Sequence, residues 1–426
     1  MTMVASLRHR LLTLYRGDVV KNAGVLMLSN IVLSGFGFVF WFVAAHLEKK
    51  SDLGIASVII TAVSLLSTTG LLGLDSGVLR FLAEDASAQR QIQTVLVWTT
   101  LASAALGVLY VTFASHLSSH LTFLSHHWLT SCLLLLTYLE AFVFSTIAQN
   151  VFISRRRSWA VLVGNSVFSV LKVALIPVLV ALGAMGLVAS TAVALVVSVL
   201  VLVTMMRRQF SLSMVPRFHR GSLTNVRRYA TTLFFTGVEN NIVQALLPLI
   251  VLNRLGSEPA GAYYIALNIS MVLGFVASST FQSLIASVSH STEMVSQRIH
   301  DALVHVTLLL VPLVAVFVIF APLLLGLFGH VYADQSTTLL RLLALAAPFS
   351  ALNYLFDAVA HIRTRNGLFF VMNTLNCLSV VVAAALFITR GLTGLGLAWL
   401  VGQLVTALCY LVVYRRELGQ WLRPRD

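Results

Sequence analysis

Residues 207–228 read RRQFSLSMVPRFHRGSLTNVRR, a stretch with six arginines and no acidic residue. It separates two long blocks, residues 1–206 and 229–426, in which apolar runs dominate. So many charges cost too much to place in the hydrocarbon core of a bilayer, and loops rich in Lys and Arg stay in the cytoplasm. We therefore predict a basic cytoplasmic linker between two membrane-embedded domains, the second of which ends in a basic tail.

The two blocks share residues at a nearly constant spacing. Gly54 in SDLGIASVII matches Gly261 in EPAGAYYIAL at an offset of 207. A constant offset predicts the same helices in the same order, which gives two parallel-repeat bundles, an arrangement that secondary transporters use. Six further pairs are 208 residues apart: Arg155/Arg363, Arg157/Arg365, Asn165/Asn373, Gly183/Gly391, Gly186/Gly394 and Leu187/Leu395.

The composition excludes a soluble protein. Of the 426 residues 58% are hydrophobic and only 10% are charged, and the mean hydropathy is +0.92. The net charge of +13 comes from short loops between apolar runs, so membrane topology explains it better than a nucleic-acid partner. The three cysteines fall inside apolar runs without metal-ligand spacing, and we predict that they serve helix packing.

Twelve apolar runs approach or exceed the length that crosses a bilayer. The fold predicted is an all-α polytopic membrane protein, with six transmembrane helices in each domain around a central cavity. Lys and Arg concentrate on one side of this arrangement, which places both termini in the cytoplasm. The spans are residues 23–46, 54–79, 92–114, 129–153, 159–181, 185–205, 229–252, 261–288, 302–320, 337–360, 367–388 and 394–414.

Ionisable side chains inside these spans are expensive in lipid, so each one suggests a role. Glu140 and Lys172 lie at similar depth on consecutive antiparallel helices and can form a structural ion pair. The alternative is that Lys172 faces an anionic headgroup in a cavity. In span 10, Asn353, Asp357 and His361 share a helix face, which suits a proton relay unless the carboxylate pairs with arginines at the inner interface.

Polar residues of spans 1, 2 and 7 complete the predicted cavity. In span 7 a polar stripe favours a wet cavity over hydrogen bonds between helices, and Pro248 loosens that helix. In span 2 the flanking glycines predict a kinked or unwound end. The predicted cavity residues are Lys172, Arg80, Glu239, Asn240, Asn241, Gln244, Asn30 and Asp75. Those predicted for ion coupling are Glu140, Asp357 and His361.

Catalytic and metal-binding motifs are absent from the sequence. It has no phosphate-binding loop and no group of nucleophile, base and orienting residue, which predicts a protein that is not an enzyme and needs no cofactor. Four histidines crowd one external loop without an acid or cysteine beside them, and a solvated loop explains them better than a metal site. They are His116, His120, His126 and His127.

Three segments resemble a known group of exporters. Residues 22–84 begin NAGVLMLSNIVLSGFGF and end LLGLDSGVLRFLAE, and RRRSWAVLVGN (155–165) and RTRNGLFFVMN (363–373) follow. They resemble the multidrug/oligosaccharidyl-lipid/polysaccharide exporter superfamily, in particular its polysaccharide-transporter branch of O-antigen-type flippases. The resemblance covers essentially the whole chain.

The resemblance implies a flippase of the cell membrane. Such proteins carry a lipid-linked oligosaccharide from the inner to the outer leaflet by alternating access, in the bilayer and beside polysaccharide polymerases and glycosyltransferases. A cation-coupled multidrug antiporter of the same superfamily is the alternative, and three acids (Glu140, Glu239 and Asp357) would suit it. A non-transporting scaffold or enzyme is a third reading, against which the repeat argues.

Overall fold

The protein is helical over most of the part that the computed structural model describes. Long apolar sequences in lipid satisfy their backbone hydrogen bonds internally, and helices do this within one segment. The described residues are 18–82, 87–219, 224–288, 295–363 and 365–415. The helices of the first half are α1 Asp18–Leu47, α2 Lys50–Gly70, α3 Leu74–Phe81, α4 Ser87–Leu117, α5 Thr122–His126, α6 Trp128–Ser154, α7 Ser158–Ala174, α8 Ile176–Leu179 and α9 Ala184–Phe210. Those of the second half are α10 Thr224–Leu255, α11 Ser257–Val288, α12 Val295–Ile319, α13 Ala321–Gly326, α14 His330–Ile362, α15 Asn366–Phe387 and α16 Gly391–Val413.

Each predicted span coincides with a long helix or with two consecutive helices, so the all-α polytopic fold is confirmed. By length and composition alone, nine described helices can cross a membrane, or ten if the bent pair α7 and α8 counts as one span. That criterion treats Gly367–Val413 as one run, although it contains the two helices α15 and α16. It also classes the apolar part of α10, Asn241–Leu255, as a shorter helix.

The chain divides into two compact units. The first comprises Met1–Glu48 and Ile59–Val238, and the second comprises Lys49–Val58 and Glu239–Asp426. In the first unit α6 packs against α4 and α9, and α7 packs against α1 and α9. In the second unit α14 packs against α11 and α16, while α15 lies against α16. These three helices, α14 to α16, surround the site described below.

The backbone reproduces the sequence repeat in detail. After α6 the amide of Arg157 donates to the carbonyl of Phe152 at 2.8 Å. After α14 the amide of Arg365 donates to the carbonyl of Ala360 at the same distance. Gly183 before α9 has φ 56° and ψ −134°, and its counterpart Gly391 at the start of α16 has φ 66° and ψ −147°. Such positive φ angles favour glycine, which explains the recurrence of these residues.

Two predicted spans are broken. Span 2 ends in a turn in which Leu72 and Gly73 have φ 54° and 70°, so the kink predicted beside Asp75 is confirmed. Span 5 also consists of two parts, which are bent by 44° relative to each other. Pro177 stands at the start of the second part, where it has no amide hydrogen to continue the ladder and its ring would clash with the preceding turn.

Residues 211–219, which we call the strap, form no regular secondary structure and run along the start of α4. The side chain of Gln89 makes two hydrogen bonds to the backbone of Ser213. Gln89 Nε2 donates to the Ser213 carbonyl, and the Ser213 amide donates to Gln89 Oε1, both at 2.8 Å. The amide of His219 donates to Thr94 Oγ1 at 3.1 Å. Met214 is buried in the core of the first unit. The strap occupies the middle of the predicted linker 207–228, between the end of α9 and the beginning of α10.

Removing the Gln89 contact should loosen the strap. Gln89→Leu leaves the amide and carbonyl of Ser213 without these partners, and each unsatisfied group costs about 1–3 kcal/mol when it is buried. We expect trypsin to cut the folded protein after Arg217 several times faster in the variant than in the wild type. Gln209→Leu, at an exposed position near the end of α9, is the control. Equal cleavage rates for Gln89→Leu and the wild type would show that the strap does not depend on this contact.

Candidate functional site

The second unit contains a cavity of about 290 Å³. Helices α10, α11, α14, α15 and α16 contribute to its wall. Polar side chains are unusually frequent there for helices of such apolar sequence, and a polar cavity among membrane helices marks a functional site. Its polar lining comprises Gln244, Ser270, Ser278, Ser350, Asn353, Asp357, Asn373, Asn376, Gln403, Thr406 and Tyr410.

Asp357 is the acid in this lining. The hydroxyl of Tyr410 donates to Asp357 Oδ1 at 2.5 Å, and Asn373 Nδ2 donates to the same oxygen at 3.2 Å. Asn373 also donates to the carbonyl of Phe369 at 3.0 Å, which fixes the orientation of its amide. Helices α14, α15 and α16 each supply one member of this group. Two donors from neighbouring helices therefore hold this oxygen in place.

A chain of amides continues from the carboxylate. Asn353 lies one turn before Asp357 on α14 and donates to Gln403 Oε1 at 2.9 Å and to the Gln403 carbonyl at 3.1 Å. Gln403 Nε2 donates to Asn376 Oδ1 at 3.4 Å, and Asn376 Nδ2 donates to Thr406 Oγ1 at 3.0 Å. The oxygen Oδ1 of Asn353 is buried and accepts no hydrogen bond from the described residues. Since nearly all buried polar atoms find partners, this oxygen requires an explanation.

Aromatic side chains complete the cavity wall. Trp399 is half-buried, while Tyr354 and Phe275 are 41% and 55% exposed. Among the polar residues of the lining, Asn353, Gln403 and Tyr410 are buried. Cavities that combine aromatic rings with a few fixed polar groups are typical ligand sites.

The structure places only part of the predicted site in this cavity. Gln244 and Asp357 line it, whereas Asn241 on α10 is half-buried outside its lining. Three predicted residues, Glu239, Asn240 and His361, have side chains outside the described part of the structure. Their roles therefore stay predictions.

Lys172 and Glu140 lie in the first unit and are bound by different partners. The Lys172 ammonium is 5.1 Å from the ring centroid of Phe40 and 5.0 Å from that of Phe168, distances typical of cation–π contacts. Glu140 Oε1 accepts a hydrogen bond from Ser103 at 2.7 Å. The ion pair considered for these two residues does not form, because α7 turns Lys172 towards α1 while α6 turns Glu140 towards α4.

The remaining predicted cavity residues are spread over the first unit. Asn30 is exposed on α1. Asp75 lies in the first turn of α3, where Ser76 donates to its carboxylate at 3.4 Å and Asn150 donates to its carbonyl at 3.0 Å. Arg80 belongs to the same helix, but its side chain is outside the described part. The described geometry does not bring them together in one site, so the predicted set remains a hypothesis.

The sequence analysis missed several cavity residues, because it selected mainly ionisable side chains inside the spans and gave less attention to carboxamides. Asn376, Gln403 and Tyr410 come from three different turns of α15 and α16, and only the packing of these helices brings them together. A polar amide inside an apolar helix is a usable signal, since it too is costly in lipid. Among the described residues no group of three or more His, Cys, Asp or Glu could hold a metal ion.

Comparison with known proteins gives one family and several related folds. The family model described as "Polysaccharide biosynthesis protein" matches residues 43–335. No curated protein sequence matches the chain.

Solved membrane transporters have a similar fold over almost the whole chain. An inward-facing multidrug resistance MATE family transporter of the MOP superfamily has a TM-score of 0.74 at 16% identity, and the match covers 94% of this chain and 98% of that one. The lipid II flippase MurJ in an inward closed conformation has a TM-score of 0.73 at 14% identity, and the match covers 95% of this chain and 89% of that one. A MOP superfamily transporter from Pyrococcus furiosus, whose pocket is described as having reverse polarity, has a TM-score of 0.62 at 17% identity, and the match covers 96% of this chain and 98% of that one.

Proposed function

This chain belongs to the polysaccharide biosynthesis protein family within the multidrug/oligosaccharidyl-lipid/polysaccharide exporter superfamily, and from that premise we propose that it flips a lipid-linked oligosaccharide from the inner to the outer leaflet of the cell membrane. The family match, over residues 43–335, is the observation that carries the proposal. A flippase works by binding and alternating access and needs no covalent step. Polysaccharide polymerases and glycosyltransferases are the partners that this role implies.

Lys172 supports the proposal because it offers a cation to the phosphate of such a lipid. Moving a phosphate through the bilayer without a partner for its charge is very costly. Among the described residues, none accepts a hydrogen bond from the Lys172 ammonium, which rests between two aromatic rings. A cation held in this way keeps its hydrogen-bond donors available for an anion. We assign Lys172 as the proposed headgroup contact.

Replacing Lys172 tests this assignment. Lys172→Met keeps much of the apolar stem but removes the charge, and a hydrogen bond to a charged group contributes about 1.5–3 kcal/mol. We expect glycan export to the outer leaflet to fall roughly tenfold or more in cells that depend on this protein, at unchanged protein level in the membrane. Lys172→Arg, which keeps the charge, should retain most of the activity. Full export by Lys172→Met would remove this residue from the substrate path.

The second candidate is a cation-coupled multidrug antiporter. The half-buried Asp357, which is hydrogen-bonded within the cavity, favours it, since acids in membrane helices bind cations or carry protons. The two functions give opposite results in cells that lack the protein. Loss of glycan export supports the flippase, and increased sensitivity to cationic drugs with normal export supports the antiporter. In both cases we propose Asp357 as the residue that couples transport to an ion, with Glu140 as a second candidate.

A further inference from the structure

We infer that the cavity of the second unit binds one sugar ring of the carried oligosaccharide. The inference rests on the proposed function for the origin of the sugar, but the cavity's own chemistry carries it. The cavity lies in the second unit and its described lining does not include Lys172, so it supplies a recognition element that differs from the proposed phosphate contact. The sugar would be recognised by amides and aromatic rings, without ionic contacts.

The amide content of the cavity matches sugar hydroxyls. A hydroxyl group both donates and accepts hydrogen bonds, and a carboxamide offers two donors and an acceptor at its end. Three carboxamides, those of Asn353, Asn376 and Gln403, are linked to one another by hydrogen bonds at 2.9–3.4 Å. Linked amides hold each other in fixed orientations, so the groups that remain free are presented to a ligand in a set geometry.

The free oxygen of Asn353 is the most direct sign of a missing ligand. The side chain is 8% exposed, and no residue in the described part of the chain donates a hydrogen bond to its Oδ1, although the atom is buried. A donor from a ligand would remove the cost of this unpartnered acceptor. A sugar hydroxyl can supply that donor and accept a hydrogen bond from a neighbouring amide at the same time.

The size and rim of the cavity fit a single ring. About 290 Å³ is just below the roughly 300–1,000 Å³ range of ligand sites, so the cavity suits one sugar ring better than a long glycan. Tyr354 and Trp399 in its wall can pack against the apolar C–H face of a pyranose, since aromatic rings contribute apolar area and weak C–H contacts.

The position of Asp357 links sugar binding to ion coupling. A carboxylate only accepts hydrogen bonds, while a protonated carboxyl group also donates one. Protonation of Asp357 would therefore change the hydrogen-bond pattern that a sugar meets in the same cavity. This gives the proposed transport cycle a physical means to bind the glycan in one protonation state and release it in the other.

Cys377 lines the cavity and provides a binding assay that does not depend on transport. In the purified protein with Cys132→Ala and Cys409→Ala, the rate at which a small methanethiosulfonate reagent labels Cys377 is measured with and without free monosaccharides. The panel includes hexoses, 6-deoxyhexoses and N-acetylhexosamines, with glycerol as a control polyol. We expect at least one sugar to slow labelling several-fold at millimolar concentration.

Asn353→Leu provides the specific test. It removes the free acceptor and the donor to Gln403, and we expect the protecting sugar to bind roughly tenfold more weakly. Ser145→Ala is the matched control, because Ser145 lies 208 residues earlier at the corresponding position of the first unit. We expect this variant to leave the protection of Cys377 by the sugar unchanged. Saturation-transfer NMR between protein and sugar gives a second readout that needs no cysteine.

The outcomes separate this inference from the proposed function. If no sugar slows labelling and none shows saturation transfer, the sugar site is wrong, whether or not the protein flips a glycan lipid. Protection by Na⁺ alone, without any sugar effect, would assign the cavity to the coupling ion and overturn the inference too. Sugar protection in a protein that moves no glycan lipid would support the site and contradict the flippase.

Discussion

Gly54→Val is expected to prevent the protein from accumulating in a folded form. A side chain at Gly54 would overlap the carbonyl oxygen of Ser257, and its Cβ would lie 2.9 Å from the amide nitrogen of Gly261. At Gly261 a Cβ would in turn lie 2.9 Å from the carbonyl oxygen of Lys50. Backbone atoms of two helices cannot move aside as a flexible side chain can, so the first turns of α2 and α11 would have to separate.

The measurement is the amount of monodisperse protein extracted from the membrane, together with its melting temperature. Gly35→Val is the control, because nothing lies within 4 Å of a Cβ built at Gly35, and it should be produced at near wild-type level. Gly54 and Gly261 are also the pair that the sequence repeat equates at an offset of 207. Wild-type yield and stability of Gly54→Val would show that the two helices do not approach this closely.

Asp357→Asn is expected to reduce transport at least tenfold while the fold remains intact. Asparagine keeps an oxygen that can accept from Tyr410 and Asn373, which now donate to Asp357 Oδ1, but it removes the charge. A residue that couples transport to an ion must change its charge or bind a cation, and asparagine does neither under these conditions. The measurement compares glycan transport with and without an imposed pH or Na⁺ gradient.

Asp357→Leu and Gln149→Leu are the controls for this prediction. Leucine at 357 leaves Tyr410 and Asn373 without their acceptor and should also lower stability, by about 1–3 kcal/mol for buried groups. Gln149 is the counterpart 208 residues earlier and donates to Asn165 at 3.2 Å in the first unit, so its loss should affect stability without affecting coupling. Gradient-dependent transport at the wild-type rate by Asp357→Asn would rule out Asp357 as the coupling residue.

Most of the fold could be predicted because lipid leaves few alternatives for long apolar sequences. Helical spans follow from length and hydropathy, and the duplication follows from residues such as Gly183 and Gly391, whose backbone angles permit little besides glycine. The superfamily resemblance is confirmed by the family match and by the similar folds. Exceptions such as the 44° bend of span 5 depend on local proline chemistry that hydropathy does not register.

The candidate site could be predicted only in part, because depth in the membrane does not fix the direction in which a side chain points. Glu140 and Lys172 lie at similar depth, yet they face Ser103 and the ring of Phe40 respectively. Asp357 was found from its charge. Its partner Tyr410 lies 53 residues away on another helix, and only the packing of α14 against α16 brings the two together.

The most direct test of the central claim uses purified protein in liposomes that contain a fluorescent lipid-pyrophosphate-linked oligosaccharide in one leaflet. A glycosidase added outside reports the fraction of the glycan lipid that reaches the outer leaflet over time. We predict rapid exposure with wild-type protein, and a rate near that of protein-free liposomes with Lys172→Met. A glycan lipid that stays in place while the same liposomes exchange a cationic dye would contradict the account and assign the protein to drug transport.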